Sequence, residues 1–144
     1  MKTRSFARCS LVVCCLLLCG CGNPLRQEIG GTVTLNGQPM PRGHIAFRPC
    51  PGTPGPTAGA DIVDGRFTIL SKGGTFAGEF RVEITSSRPS KKKVRLPETG
   101  ELVDTYEQFL PAKYNTQTEL RVKVQSNATN HFEFAVATLL RNSL

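Results

Sequence analysis

The strongest constraint on how this chain folds is an alternation of apolar and polar residues with a period of two. In residues 80–85 (FRVEIT) every second residue is apolar, and residues 120–124 (LRVKV) and 132–136 (FEFAV) repeat the pattern. Successive side chains of a β-strand point to opposite faces, so this period places the apolar side chains together on one face. These segments are predicted to be strands with one face in a core and the other in water.

Four more segments resemble strands and are separated by turn signals. They are residues 29–35, 44–48, 60–63 and 67–69, with the turn dipeptides Asn36-Gly37 and Asp64-Gly65, which tolerate positive φ. Seven short strands in about 110 residues favour an all-β, antiparallel, seven-stranded β-sandwich. Helix signal is scarce. Within the long connection at 86–115, residues 103–110 are predicted to make one or two helical turns before Pro111.

The first twenty residues have the features of an export signal. Lys2, Arg4 and Arg8 precede an apolar run centred on residues 11–18. A helix needs about 20 apolar residues to cross a bilayer, so this run is too short for a transmembrane anchor but suits a signal peptide. We expect residues 1–20 to be a signal peptide, 21–28 a tether, 29–137 the sandwich and 138–144 a tail.

The end of this signal resembles the lipobox of bacterial lipoproteins. In Leu18-Cys19-Gly20-Cys21 a leucine and two small residues precede a cysteine. The resemblance implies that Cys21 becomes the mature N-terminus and carries lipid, palmitate among its acyl chains, that attaches the protein to the cell envelope. An ordinary cleaved signal or a short uncleaved anchor is the alternative. Because Gly22 and not Asp follows the cysteine, the resemblance favours the outer membrane over the inner membrane.

Cysteine content and charge change once the signal is removed. Of the six cysteines only Cys21 and Cys50 remain, so no intramolecular disulfide is predicted. The chain after residue 20 has 15 basic and 11 acidic residues, a net charge of +4 rather than +7. This mild excess does not indicate a nucleic-acid partner.

The order of the turn and strand motifs resembles the carboxypeptidase regulatory-like, transthyretin-like (Ig-like) β-sandwich family. The matching segments are residues 31–39 (GTVTLNGQP), 44–47 (HIAF), 64–67 (DGRF) and 78–82 (GEFRV). Residues 111–115 (PAKYN) and 120–124 resemble a subset of this family found as small bacterial lipoproteins. The likeness spans about residues 29–136. It implies a fold and not an activity, because each motif closes a turn or fills a core.

Few residues are candidates for chemistry. His44 and His131 each stand near the start of a predicted strand. That both are exposed strand residues is a simpler interpretation than that they bind a metal together. The related purine-pathway hydrolases end in a Tyr-Arg-Gly-Ser motif, which the C-terminus here, residues 140–144 (LRNSL), does not match. Cys50 has no base beside it in sequence. No metal, cofactor or catalytic residue is predicted.

The one dense charged feature is residues 88–95 (RPSKKKVR). Lys91, Lys92, Lys93 and Arg95 are the candidates for contact with an anionic ligand or lipid headgroups, whereas the simpler interpretation is a solvated loop. Without interleaved aromatic residues, stacking on nucleic-acid bases is not expected. We therefore expect an envelope lipoprotein with a non-catalytic structural or binding module, whose partner is a polysaccharide or a protein. The alternative is a small envelope hydrolase with a site at His44 or His131.

Overall fold

The computed structural model describes residues 25–138. The predicted signal peptide, Cys21 and residues 139–144 of the predicted tail lie outside the described residues. Ten strands and two 3-10 turns, at Ser71–Gly73 and Ala112–Tyr114, make up the regular structure of the described part. The fold is therefore all-β, as the sequence predicts. The strands are β1 Ile29–Leu35, β2 Gln38–Pro39, β3 Arg42–Pro49, β4 Ala58–Val63, β5 Arg66–Ile69, β6 Gly78–Thr85, β7 Ser87–Arg95, β8 Leu102–Gln108, β9 Arg121–Val124 and β10 Asn130–Val136.

Eight of these strands form one curled sheet. Its order is β10-β1-β5-β4-β3-β6-β9, with the short β2 paired to β1. The pairings are antiparallel except that β1 and β10 run parallel over their whole lengths. Strands β4 and β5 share only the pair Val63–Arg66 next to their connecting turn. The sheet therefore divides there into one half with β10, β1 and β5 and another with β4, β3, β6 and β9.

The turns form where the sequence signals them. Asp64 and Gly65 both have positive φ, 48° and 74°, and join β4 to β5 in two residues. Asn36 and Gly37, at 51° and 82°, join β1 to β2 in the same way. Two positive φ angles suit the right-handed twist of a tight hairpin, which explains the Asx-Gly sequences.

The core lies inside the curve of the sheet. All seven predicted strands are present, and β2, β7 and β8 are additional to them. The alternating apolar residues are buried, such as Phe80, Val82 and Ile84 in β6, or partly buried, such as Val122 in β9 and Phe132 in β10. Phe47 of β3 is fully buried, and its ring centroid lies 5.9 Å from that of Phe67 and 6.5 Å from that of Phe134. These contacts cross from one half to the other, so the aromatic side chains hold the two halves together.

The connection at 86–115 differs from the sequence prediction. The helical turns predicted at 103–110 are wrong, because Leu102–Gln108 is strand β8. The segment predicted as a solvated loop, 88–95, lies in strand β7 and pairs with β8 as a separate two-stranded sheet. Neither strand has a buried residue, so the sequence of this region shows no alternation of apolar and polar residues that would have indicated strands.

The sheet has two distinct ends along its strands. At one end, Gln27 is buried, donates its backbone N–H to the Thr75 carbonyl oxygen at 2.7 Å and accepts a hydrogen bond from the Asn127 N–H at 3.1 Å. This end also contains the start of β6 and the end of β9, which pair at Gly78–Val124. The β7–β8 hairpin leaves from the opposite end, where the Ser86 hydroxyl donates to the Arg42 carbonyl oxygen at 2.6 Å.

Candidate anion-binding site

The predicted basic residues lie on the β7–β8 hairpin. Near its tip, residues 93–95 pair with residues 102–104, and near its base residues 87–89 pair with residues 106–108. Between these two regions Ser90, Lys91 and Lys92 stand opposite Thr105 alone, so β7 bulges outward. A bulge redirects side chains and interrupts the ladder. Here it carries two of the four candidate residues.

Two hydroxyl groups hold the bulge in shape. The Oγ atom of Ser90 lies 2.5 Å from Oγ1 of Thr105, and Thr105 also donates to the Lys92 carbonyl oxygen at 2.7 Å. The Lys92 N–H donates to Oγ of Ser90 at 3.0 Å. Backbone groups that the bulge removes from the ladder thus find side-chain partners. The backbone of the bulge is consequently fixed at Lys92, while the side chains of Lys91 and Lys92 stay exposed.

The four candidate cations have different surroundings. Lys93 lies 3.4 Å from a carboxylate oxygen of Asp104, and Nη1 of Arg95 donates to the Gly100 carbonyl oxygen at 2.6 Å. Within residues 25–138, Lys91 and Lys92 form no ion pair. The structure therefore separates the candidates into two that stabilise the hairpin and two that are free for a ligand.

An open groove of about 640 Å³ runs beside these two lysines. Arg88 borders it and is held by Glu107 at 2.9 Å, with its guanidinium also 5.6 Å from the centre of the Phe109 ring. Tyr106, 70% exposed, supplies a flat apolar surface on the same groove. Cations next to an exposed aromatic ring form a surface suited to a ligand that carries both acidic groups and apolar faces.

Sequence reasoning missed Tyr106, since it assigned residues 103–110 to helical turns. The signal that indicated a strand is the β-branched and aromatic content of Val103, Thr105 and Tyr106. The basic strand β7 carried no such signal, because three consecutive lysines do not alternate with apolar residues.

The two histidines are not brought together. His44 lies in β3 and His131 in β10, and strands β4, β5 and β1 separate them in the sheet. Nδ1 of His44 is 3.1 Å from Oδ1 of Asp61, and both side chains are exposed. Its ring lies over Gly59, where an added Cβ would be 3.1 Å from Nε2. The ring therefore leans toward β4 and away from Thr85, its register partner on β6.

Cys50 is half-buried after β3, and its Sγ accepts a hydrogen bond from Nη1 of Arg121 at 3.3 Å. In the part of the chain that the structure describes, no group of three or more His, Cys, Asp or Glu side chains is arranged to hold a metal ion. No helix between residues 25 and 138 is long and apolar enough to span a membrane.

Comparison with known proteins gives no match. No family model matches the sequence, and no curated protein or solved structure is significantly similar to the chain. The functional interpretation therefore depends on the sequence motifs and on the geometry of the described residues.

Proposed function

We propose that this protein is an exported envelope lipoprotein, anchored through lipid on Cys21, whose β-sandwich is a non-catalytic binding module. The proposed fold is the carboxypeptidase regulatory-like, transthyretin-like sandwich. Its support is the packing of Phe47 against Phe67, Phe132 and Phe134, which joins the two halves of the sheet face to face at centroid distances of 5.9–6.5 Å. Sandwich layers pack in this way, through side chains that interdigitate between two sheet faces.

The observation that carries the binding role is the β7–β8 hairpin. No residue of its two strands is buried, so the hairpin contributes little to the folding stability of the domain. It nevertheless holds Lys91 and Lys92 in a hydrogen-bonded bulge beside Tyr106 and an open groove. Binding and catalytic residues are found disproportionately on such projecting segments of a rigid scaffold. The hairpin is therefore the proposed contact for an anionic ligand.

The position of the hairpin favours a polysaccharide over the anchoring bilayer. Only residues 22–24 stand between Cys21 and the described chain, and four residue steps extend at most about 14 Å. The chain enters the sheet at the Gln27 end, whereas the hairpin leaves from the Arg42 end. The eight residues of β6 separate these ends by about 26 Å. A domain standing on its anchor would thus hold Lys91 and Lys92 away from the anchoring membrane.

The test is retention of the full chain, purified in non-ionic detergent, on immobilised polygalacturonate, a carboxylated polysaccharide. We expect the double variant Lys91→Gln/Lys92→Gln to weaken binding by roughly tenfold or more, since hydrogen bonds to charged groups are worth about 1.5 kcal/mol or more. The matched control, Lys72→Gln/Lys113→Gln, changes the net charge equally at exposed sites outside the hairpin. If both double variants lose the same amount of affinity for polygalacturonate, the binding depends only on net charge, and the hairpin is not the binding site.

A second arm uses vesicles containing phosphatidylglycerol at the same ionic strength. Selective loss of vesicle binding in the hairpin variant, with polygalacturonate retention unchanged, would assign the hairpin to a lipid surface instead. Raising the salt concentration should weaken the hairpin-dependent binding, because exposed charges are screened within about 8 Å at physiological ionic strength.

A further inference from the structure

Three arginines lie side by side on the outer face of the curled sheet. Arg48 of β3 is the register partner of Arg81 of β6, and Arg81 is the register partner of Arg121 of β9. All three are exposed, since the neighbouring residues of β3 and β6 that point inward are the buried ones. Adjacent strands lie about 4.8 Å apart, so the row spans about 10 Å. We call Arg48, Arg81 and Arg121 the arginine row.

The row carries three positive charges, and one carboxylate, that of Glu83, is ion-paired with it. Glu83 lies 2.6 Å from Nε of Arg48 and 3.4 Å from Nη2 of Arg81, and it serves both guanidinium groups. Arg121 forms no ion pair within residues 25–138, and its Nη1 donates to Sγ of Cys50. Like charges directly opposite each other in a sheet are destabilising. Ion pairing with Glu83 therefore accounts for Arg48 and Arg81, whereas no ion pair within residues 25–138 accounts for Arg121.

The geometry suits an oxyanion. A guanidinium group carries five N–H donors, and each arginine of the row makes one side-chain hydrogen bond within the described residues. Most donors of the row are thus available on one exposed face. Glu83, whose side chain is only 18% exposed, lies two residues from Arg81 on the same face of β6 and fixes the direction of two guanidinium groups. Arginine binds phosphate oxygens through paired N–H bonds that lysine does not reproduce.

We propose that the arginine row is a binding site for a phosphate-bearing ligand with two neighbouring phosphoryl groups. One phosphoryl group would bind Arg48 and Arg81, which Glu83 brings together, and the neighbouring phosphoryl group would bind Arg121. This site is separate from the β7–β8 hairpin, because it lies on the outer face of β3, β6 and β9. It requires neither the lipid anchor nor a polysaccharide ligand.

The experiment is calorimetric titration of the full chain, in non-ionic detergent, with inorganic pyrophosphate. We expect saturable binding that Arg81→Gln and Arg121→Gln each weaken by roughly tenfold or more. Arg121→Lys should fall between Arg121→Gln and the unchanged chain, because it keeps the charge but loses the paired donors. Arg66→Gln, an exposed arginine on β5 in the other half of the sheet, is the matched control and should bind normally.

A thermal melt without pyrophosphate separates binding from folding. Arg121→Gln removes a like charge from an exposed edge strand, so its melting temperature at low salt should equal or exceed that of the unchanged chain. A parallel arm replaces pyrophosphate with vesicles containing phosphatidic acid. Loss of vesicle binding in the same two Gln variants would mean that a lipid can carry the phosphate.

Other outcomes would overturn the proposal. One is the absence of saturable binding both to pyrophosphate and to the vesicles. A second is that Arg81→Gln binds as tightly as the unchanged chain, and a third is that Arg66→Gln loses as much affinity as Arg81→Gln. The hairpin variant Lys91→Gln/Lys92→Gln should bind pyrophosphate normally. A failure of the polysaccharide proposal and a failure of this one are therefore distinguishable.

Discussion

At the scale of single residues, Gly31 shows how the parallel pairing of β1 and β10 limits the sequence. A Cβ added to Gly31 would collide with the backbone carbonyl oxygen of Phe132 and lie 2.9 Å from the ring of Phe67. Neither atom is the free end of a flexible side chain. The absence of a side chain here lets β1 approach β10 and leaves room for the aromatic core.

We therefore predict that Gly31→Ala destabilises the fold, whereas Gly30→Ala does not. Overpacking a closely packed core costs about 1–3 kcal/mol, and the backbone contact at Gly31 leaves little room to relax. At Gly30 the nearest atom to an added Cβ is 3.7 Å away, an ordinary contact distance. Urea denaturation of the two variants measures the difference. Similar midpoints would contradict the close approach of β1 to β10.

Residue patterns predicted the turns but not the roles of individual lysines. Asp64 and Gly65 form a tight turn because only a few residue types accept two positive φ angles in succession, and this preference is local. The difference between Lys92 and Lys93 is not local. It arises because Asp104, eleven positions beyond Lys93 in sequence, lies beside Lys93 only after β7 has paired with β8 around a bulge.

At the scale of elements, the β7–β8 hairpin is the least supported part of the described fold. Its base is held by Oε1 of Gln108, which accepts hydrogen bonds from the N–H groups of Ser86 at 3.0 Å and Leu110 at 3.3 Å. Beyond its base, no residue of either strand is buried. A two-stranded hairpin without a buried face is only marginally stable in water.

Hydrogen exchange should detect this difference in stability. We expect the amides that pair β7 with β8 to exchange through local opening, well before those that pair β3 with β6, which open with the whole domain. The β3–β6 pair is the internal control because it contains the fully buried Phe47, Phe80 and Val82. Equal protection in the two pairs would show that the hairpin is part of the cooperative core and not a separate binding element.

The alternation of apolar and polar residues predicted the strands that have one buried face. It did not predict the strands that have no buried face. Strand β6 alternates because its apolar side chains fill the core and its charged ones meet water. Strands β7 and β8 have exposed faces on both sides, so nothing selects an alternating pattern. Their pairing depends on backbone hydrogen bonds and on ion pairs such as Arg88–Glu107, which leave no period in the sequence.

At the scale of the whole molecule, the order of strands in the sheet could not be predicted from the sequence pattern. Seven alternating segments indicate that strands pack around a core, but not which strand lies beside which. The parallel pairing of β1 with β10 joins the first and last strands, and the arginine row requires β3, β6 and β9 to be neighbours. The candidate site on the sheet face therefore becomes visible only with the topology.

The proposed anchor makes one more feature of the whole molecule testable. If Cys21 is acylated, metabolic labelling with palmitate should mark the wild-type chain and not the Cys21→Ala variant, while Cys19→Ala should still be labelled. Labelling of Cys21→Ala equal to wild type would exclude Cys21 as the acceptor. With the anchor established, the direction in which the domain stands on the membrane can be measured.

The chain has no tryptophan, so a single introduced tryptophan reports on one position. We predict that in vesicles containing brominated lipid a tryptophan at Ser126, next to the turn that contacts Gln27, is quenched more strongly than one at Glu98 on the hairpin tip. The physical reason is that the strands run about 26 Å between these ends, and the short tether keeps the Gln27 end near the bilayer. Ser126→Trp and Glu98→Trp are both exposed substitutions, and the same chains carrying Cys21→Ala give the unanchored baseline. Stronger quenching at Glu98 would mean that the hairpin contacts the anchoring membrane, and Lys91 and Lys92 would then be assigned to lipid headgroups rather than to polysaccharide.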